Sequence, residues 1–260
     1  MTELAYRDDG EIVCTWAVHL IRELQRKGIT VRLFGGVGIR LRCAAVLEVT
    51  PELSRPPRDI DLVARLRDRW LIERMILDLG GIPNREFNLL NGTRQLMYAL
   101  SVGEADRIRI DVILDRLEMC HVLELSSRLD LHPLTLSASD LLLSKLQVIA
   151  PAERDVKDML ALLAAFDVDG HLTGKDSLEI EYIGTLCGSD WGWYRTVSGR
   201  LRTVEDSVTI VHDADMRERI CSTGKAVLMA VENAPKTAKW RLRAMLGEWL
   251  RWYQIPEESA

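Results

Sequence analysis

From Glu11 to Lys27 apolar residues recur at helical spacing: Val13, Trp16, Ala17, Leu20 and Leu24 form one stripe, with Asp8 or Asp9 as cap and Gly28 as stop. The period then changes. Ile29 to Phe34 reads as a short strand entering Gly35-Gly36, and a helix is expected over Val37 to Leu47. Glu48 to Arg58, with Pro51, Pro56 and Pro57, reads as a loop, because proline removes a backbone donor and pushes its predecessor out of the helical region. It delivers the chain into a strand through Asp59-Ile60-Asp61-Leu62. Ile72, Met75, Ile76 and Leu79 then form the stripe of a helix capped by Asp68 and ended by Gly80-Gly81-Ile82-Pro83. Arg94 to Leu100 and Arg107 to Leu114 read as an antiparallel hairpin, turning through Val102-Gly103-Glu104-Ala105-Asp106.

Past a linking segment around Cys120 to Pro133, Ser137 or Ser139 can cap a helix carrying Leu141, Leu142, Leu143, Leu146, Val148 and Ile149. Val156, Met159, Leu160 and Leu163 give the next helix its apolar face. Asp167 to Asp176, with Gly170 and Gly174, marks a boundary. Residues 177 to 260 are mainly helical by pattern. Trp191-Gly192-Trp193-Tyr194-Arg195 reads as core, since aromatic side chains bury large areas. Leu242, Met245, Leu246, Trp249 and Tyr253 make a stripe, with Lys236, Lys239, Arg241, Arg243 and Arg251 on other faces; a solvated basic face is the plainer reading and contact with RNA phosphates the other. The order of elements is neither pure alternation nor pure meander. It predicts an α+β fold: a mixed sheet with packed helices, followed by a mainly helical C-terminal region. The expected divisions are a core over 1–118, a helical extension over 119–166 and a C-terminal domain over 167–260.

Composition changes this picture little. At 47% hydrophobic the 260 residues can pack a sizeable core, and a net charge of −5 argues against a surface coated in positive charge for nucleic acid. Five scattered cysteines without C-x-x-C spacing point to neither a zinc site nor a disulfide framework. With no signal-like segment near Met1 and no apolar run of membrane-spanning length, a cytoplasmic protein with no membrane partner is expected.

The chemistry concentrates in a few positions. Successive side chains of a strand alternate faces, so Asp59 and Asp61 share one and repel unless a cation intervenes. Arg107-Ile108-Arg109-Ile110-Asp111-Val112 alternates likewise and puts Asp111 on a polar face. If the two strands are neighbours, three carboxylates meet in an oxygen-rich site suited to Mg²⁺ or Mn²⁺. Gly35 and Gly36, at a strand-to-helix junction, let backbone approach a phosphate at the helix start. Lys145 is the only charged residue between Asp140 and Glu153, so it either snorkels to water or meets an anion. On that view Lys145→Met removes a charge and leaves the fold intact. The chain lacks a phosphate-binding loop, paired histidines and G-x-S-x-G.

A strand ending in Gly35-Gly36, then Asp59-x-Asp61, then a lone Asp111 resembles the nucleotidyltransferase superfamily, and most closely the AbiEii-type toxin and the aminoglycoside and lincosamide nucleotidyltransferases. The resemblance spans about residues 30 to 165. It implies an NTP- and Mg²⁺-dependent enzyme in which Asp59, Asp61 and Asp111 bind metal and carry catalysis, while Gly35, Gly36, Arg55, Lys145 and Asp158 bind nucleotide. The AbiEii-like segment Ser144-Lys145-Leu146, followed by Arg154-Asp155-Val156-Lys157-Asp158, places Lys145 on triphosphate oxygens and leaves Asp155 or Asp158 as its support. The implied acceptor is tRNA, a protein or a small molecule, with an antitoxin protein as partner if the chain is a toxin; the alternative is a nucleotide-binding module without catalysis. Three departures stand out: Gly36 replaces a common Ser, Pro57 takes a hydroxyl position in Arg55-Pro56-Pro57-Arg58, and the long gap from Gly36 to Asp59 leaves room for a small insertion near the active-site mouth.

Overall fold

The computed structural model describes residues 9–102, 106–169 and 177–255. Asp8, the turn at 103–105 and the glycines at 170 and 174 lie outside them. The elements run α1 (Asp9–Arg26), β1 (Val31–Phe34), α2 (Gly35–Arg42), α3 (Ala44–Val49), β2 (Asp59–Ala64), α4 (Arg69–Asp78), β3 (Gly81–Pro83), α5 (Arg85–Asn91), β4 (Gln95–Val102) and β5 (Asp106–Leu114). Then come β6 (Arg116–Glu118), β7 (Val122–Glu124), α6 (Ala138–Leu146), α7 (Glu153–Ala165), β8 (Asp167–Asp169) and β9 (Ser177–Glu179). The remainder is helical: α8 (Ile180–Ser189), α9 (Trp191–Arg202), α10 (Val204–Ser207), α11 (Ala214–Asn233) and α12 (Ala238–Leu246). The fold is therefore the expected α+β arrangement of a mixed sheet followed by helices. No helix among the described residues is long and apolar enough to cross a membrane.

The chain divides into two compact units, neither continuous in sequence. One takes 1–42, 55–117 and 124–136; the other takes 43–54, 118–123 and 137–260. In the first unit, five strands order as β1-β2-β5-β4-β3. Only β2 and β5 run parallel, with Asp59 opposite Arg109 and Asp61 opposite Asp111; the other neighbours are antiparallel. This register gives the sheet two unlike faces. Leu33, Ile60, Leu62, Ile110, Val112, Leu96 and Tyr98 look into a core closed by Val13, Ala17, Leu20, Ile21 and Leu24 of α1 and by Ile72 and Ile76 of α4. The opposite face carries Arg32, Asp59, Asp61, Arg109, Asp111 and Gln95. The free edge of β1 is partly paired by the segment after His132, since Leu33 N–H donates to the Leu134 carbonyl and Leu136 N–H to that of Leu33.

Three local expectations are corrected. The helix expected over Val37 to Leu47 begins at Gly35 and breaks at Cys43, and a short 3₁₀ turn, Pro51–Leu53, occupies part of the expected loop. The Gly80-Gly81-Ile82-Pro83 segment does end α4, with Gly80 at φ +86°, but from Gly81 it also forms an edge strand that was not expected, in which Ile82 pairs with Ala99 and Pro83 with Tyr98; proline is tolerated there because one side of an edge strand needs no donor. The C-terminal stripe does not pack as a stripe: α12 ends at Leu246, and Leu242, Met245 and Trp249 are exposed.

In the second unit α6, α7, α8, α9 and α11 pack through Leu142, Leu146, Leu160, Ile183, Val197 and Val227, all fully buried. Trp191 and Trp193 are buried as expected of core aromatics. Ser137 settles the cap of α6, accepting from the Asp140 N–H at 3.2 Å and donating to Asp140 Oδ2 at 2.6 Å. No disulfide joins the cysteines among the described residues.

Candidate active site

Six of the expected residues come together in the sheet unit. Parallel pairing puts Asp61 beside Asp111 on adjacent strands, and Asp59 lies two residues before Asp61 on the same face. Gly35, the first residue of α2, has φ +57°, a backbone conformation that side chains disfavour. A Cβ there would lie 1.8 Å from Asp61 Oδ2, so the strand-to-helix junction is packed directly on that carboxylate. Gly36 plays the same part for Arg55: a Cβ would stand 3.0 Å from its guanidinium. The prolines explain how Arg55 is delivered, since Gly10 at the start of α1 leaves room for Pro56 and Pro57 to lie against its backbone.

Arg109 is the residue that motif reasoning passed over. Its guanidinium spans two of the three carboxylates, at 3.0 Å from Asp59 Oδ2 and 2.8 Å from Asp111 Oδ2, while its side chain remains 47% exposed. The signal was present in the alternation that placed Arg109 two residues before Asp111. Gln95, donating to Asp111 Oδ1 at 3.3 Å, could be found only from the β4–β5 register. Asp111 is buried, and burial raises its pKa above the ordinary carboxylate range; Arg109 opposes that shift and the Asp59 charge adds to it.

The donor set fits a hard divalent cation in kind, with three carboxylates on one face against one bridging guanidinium. Among the described residues, no three His, Cys, Asp or Glu side chains already converge as a metal-holding group. Arg109 stands as the cation between Asp59 and Asp111. Arg109→Gln is therefore expected to bind Mn²⁺ more tightly than the parent, on the order of tenfold, because a positive charge competing for the same oxygens is gone. Isothermal titration without nucleotide checks this, and unchanged or weaker binding would show that the guanidinium does not compete.

Lys145 and Asp158 stand in the helical unit. Lys145 Nζ meets Asp155 Oδ1 and Asp158 Oδ2, each at 2.9 Å, so both aspartates named from the sequence are its partners. Burial works against the Lys145 charge, but Asp158 and then Asp155 outweigh it and hold the ammonium above its ordinary pKa. Burial likewise opposes the Asp155 charge, yet the Lys145 charge and hydrogen bond hold that carboxyl below its ordinary value. Arg200 of α9 adds a second cation: it donates to the Val148 and Ile149 carbonyls at 3.1 Å and feels the Asp155 charge. Lys145 is thus neither snorkelled nor alone, and Lys145→Met would not be a charge-only change.

No protein-family model matches this chain, and no curated protein matches it significantly in sequence.

Proposed function

We propose that the sheet unit is the catalytic centre of a metal-dependent nucleotidyltransferase that moves an NMP from an NTP to an acceptor hydroxyl. The observation that carries this reading is the in-register pairing of Asp61 with Asp111 on parallel strands, with Asp59 alongside and the Gly35-Gly36 helix start packed against Asp61. Asp59, Asp61 and Asp111 would hold Mg²⁺ or Mn²⁺, which when bound supplies neutralisation of triphosphate charge. Gly35 and Gly36 offer backbone N–H groups at the start of α2 to phosphate oxygens. Arg55, beside Gly36, adds a cation there. Asp111, beside Asp61 on the adjacent strand, is placed to accept the acceptor hydroxyl's proton. The acceptor oxygen then bonds to the α-phosphorus as the bond to pyrophosphate breaks.

The resemblance to AbiEii-type chains favours tRNA or a protein as acceptor and a toxin role; the aminoglycoside-type resemblance favours a small hydroxylated molecule. The test uses each α-labelled NTP with Mg²⁺ or Mn²⁺ and, in parallel, bulk tRNA, cell protein and aminoglycosides. Label should pass to one acceptor class and be lost in Asp59→Asn/Asp61→Asn; transfer that survives the double substitution sinks the assignment. Growth arrest on expression, absent in the double variant, would support the toxin role.

A further inference from the structure

The C-terminal stretch has no part in that reading, yet it is chemically distinct. Between Lys236 and Ile255 five basic residues face one acid, Glu248, in a chain of net charge −5, and three of the seven tryptophans fall there. Glu248 is itself paired with Arg195. The structure gathers much of the stretch around a cleft of about 340 Å³ within the helical unit, walled by the rings of Trp191, Trp240, Trp252 and Tyr253. Lys239, Arg243 and Arg251 line it too.

The rings and cations are interleaved. Arg243 lies over Trp191 at 4.6 Å from its ring centre, and Arg251 lies 5.8 Å from that of Tyr253. A guanidinium seated on an aromatic ring presents its outer face as a flat, positive platform. Asp190, the carboxylate of the lining, accepts from the Trp193 N–H at 3.0 Å as the cap of α9, so it is already engaged at a helix end. Trp240 Nε1–H is enclosed and meets no acceptor among the described residues. Arg243 also donates to the Gly247 and Leu250 carbonyls, which holds its guanidinium in place without neutralising it; an apolar ligand would leave its charge and those of Lys239 and Arg251 uncompensated. A simple anion would leave the rings unused. A nucleobase bearing phosphate uses both, since bases stack on aromatic rings and on guanidinium planes while Lys and Arg hold phosphates.

We propose that this cleft binds single-stranded nucleic acid, stacking a base among Trp240, Trp252 and Tyr253 and drawing phosphates to Lys239, Arg243 and Arg251. The assignment concerns binding in the helical unit and does not rest on the transferase reading. A single strand is favoured over a duplex because only unpaired bases expose faces for stacking. It is favoured over a free nucleotide because three cations are spread along the cleft.

The experiment titrates the full chain with a labelled ten-nucleotide single strand of RNA or DNA, the matching duplex, ADP and inorganic polyphosphate, following tryptophan quenching and anisotropy. The single strand should bind at least tenfold more tightly than the others. Its log affinity should fall against log salt with a slope of about −2, as expected for three neutralised phosphates. Lys239→Glu/Arg251→Glu changes two exposed side chains, so folding, checked by circular dichroism and melting, should be kept. It should weaken strand binding more than tenfold and cut the slope to about −0.7. Equal binding of polyphosphate would mean charge alone, equal binding of ADP would make a free nucleotide the ligand, and equal binding of duplex would remove the stacking; each overturns the proposal. So does strand binding that the double charge reversal leaves unchanged.

Discussion

Asp111→Asn should give a metal-free protein that melts at a higher temperature than the parent at neutral pH while losing nucleotidyl transfer by more than about 100-fold. The stability half follows from the direction of the Asp111 shift. Burial, helped by the Asp59 charge, disfavours its ionised form, and the Arg109 contact only partly offsets this. With the folded pKa above the unfolded one, the folded state binds more protons between the two values, so stability falls as pH rises through that window. The penalty is absent below the ordinary carboxylate range and complete above the raised pKa. Asparagine carries no such penalty and keeps an oxygen for Gln95. The melting difference should therefore be largest at neutral pH and vanish in acid, below about pH 4. Thermal scans of both proteins across pH check it, and a variant that melts lower than the parent at neutral pH would show that the Arg109 contact dominates. The activity half follows because groups merely supporting a metal ligand already cost about 10–100-fold when removed.

What the sequence made legible is what hydrophobic period and strand alternation encode. The α1 stripe is a case: Val13, Ala17, Leu20 and Leu24 are buried as their spacing requires. The shared face of Asp59, Asp61 and Asp111 is another, because alternation on β2 and β5 fixes each side and only the adjacency of the strands had to be assumed. What stayed hidden depends on polar anchoring. Helix α5 has a single buried residue, Asn88, whose side chain donates to the Met97 carbonyl at 3.2 Å and accepts from the Met97 N–H at 2.7 Å. Asn88 acts in effect as a strand partner for β4, while Leu89 and Leu90 face solvent. Apolar periodicity cannot detect a helix held that way. Arg109 was hidden for a different reason: motif reasoning counts carboxylates, whereas the geometry pairs them with the cation between them.

The largest effect on stability should come from Lys145. Its ammonium is the shared partner of two carboxylates, and Asp158 is nearly as buried as the core around it. Lys145→Met keeps the aliphatic bulk but takes away the ammonium that Asp155 and Asp158 share, leaving Arg200 as the cation nearest Asp155. Removing one member of a buried ion pair costs about 3–5 kcal/mol, which for a protein of this size lowers the melting temperature by on the order of 10 °C. The contribution of the contact spans the neutral range. The raised Lys145 pKa means its share is fully present below the ordinary lysine value and is lost as pH climbs through the folded one. The lowered Asp155 pKa means its share is present above the ordinary carboxylate range and is lost as pH falls through the folded value. The deficit of Lys145→Met should accordingly shrink in acid, where the Asp155 carboxylate is neutralised. Lys145→Met/Asp155→Asn/Asp158→Asn, which removes charge from all three positions, should recover most of the lost stability at neutral pH, because uncharged groups of the same shape need no counter-ion. Thermal melts of the two variants and the parent at neutral and acid pH decide the matter. If the triple variant melts no higher than Lys145→Met, the loss lies in packing around the methionine and not in the charges of Asp155 and Asp158.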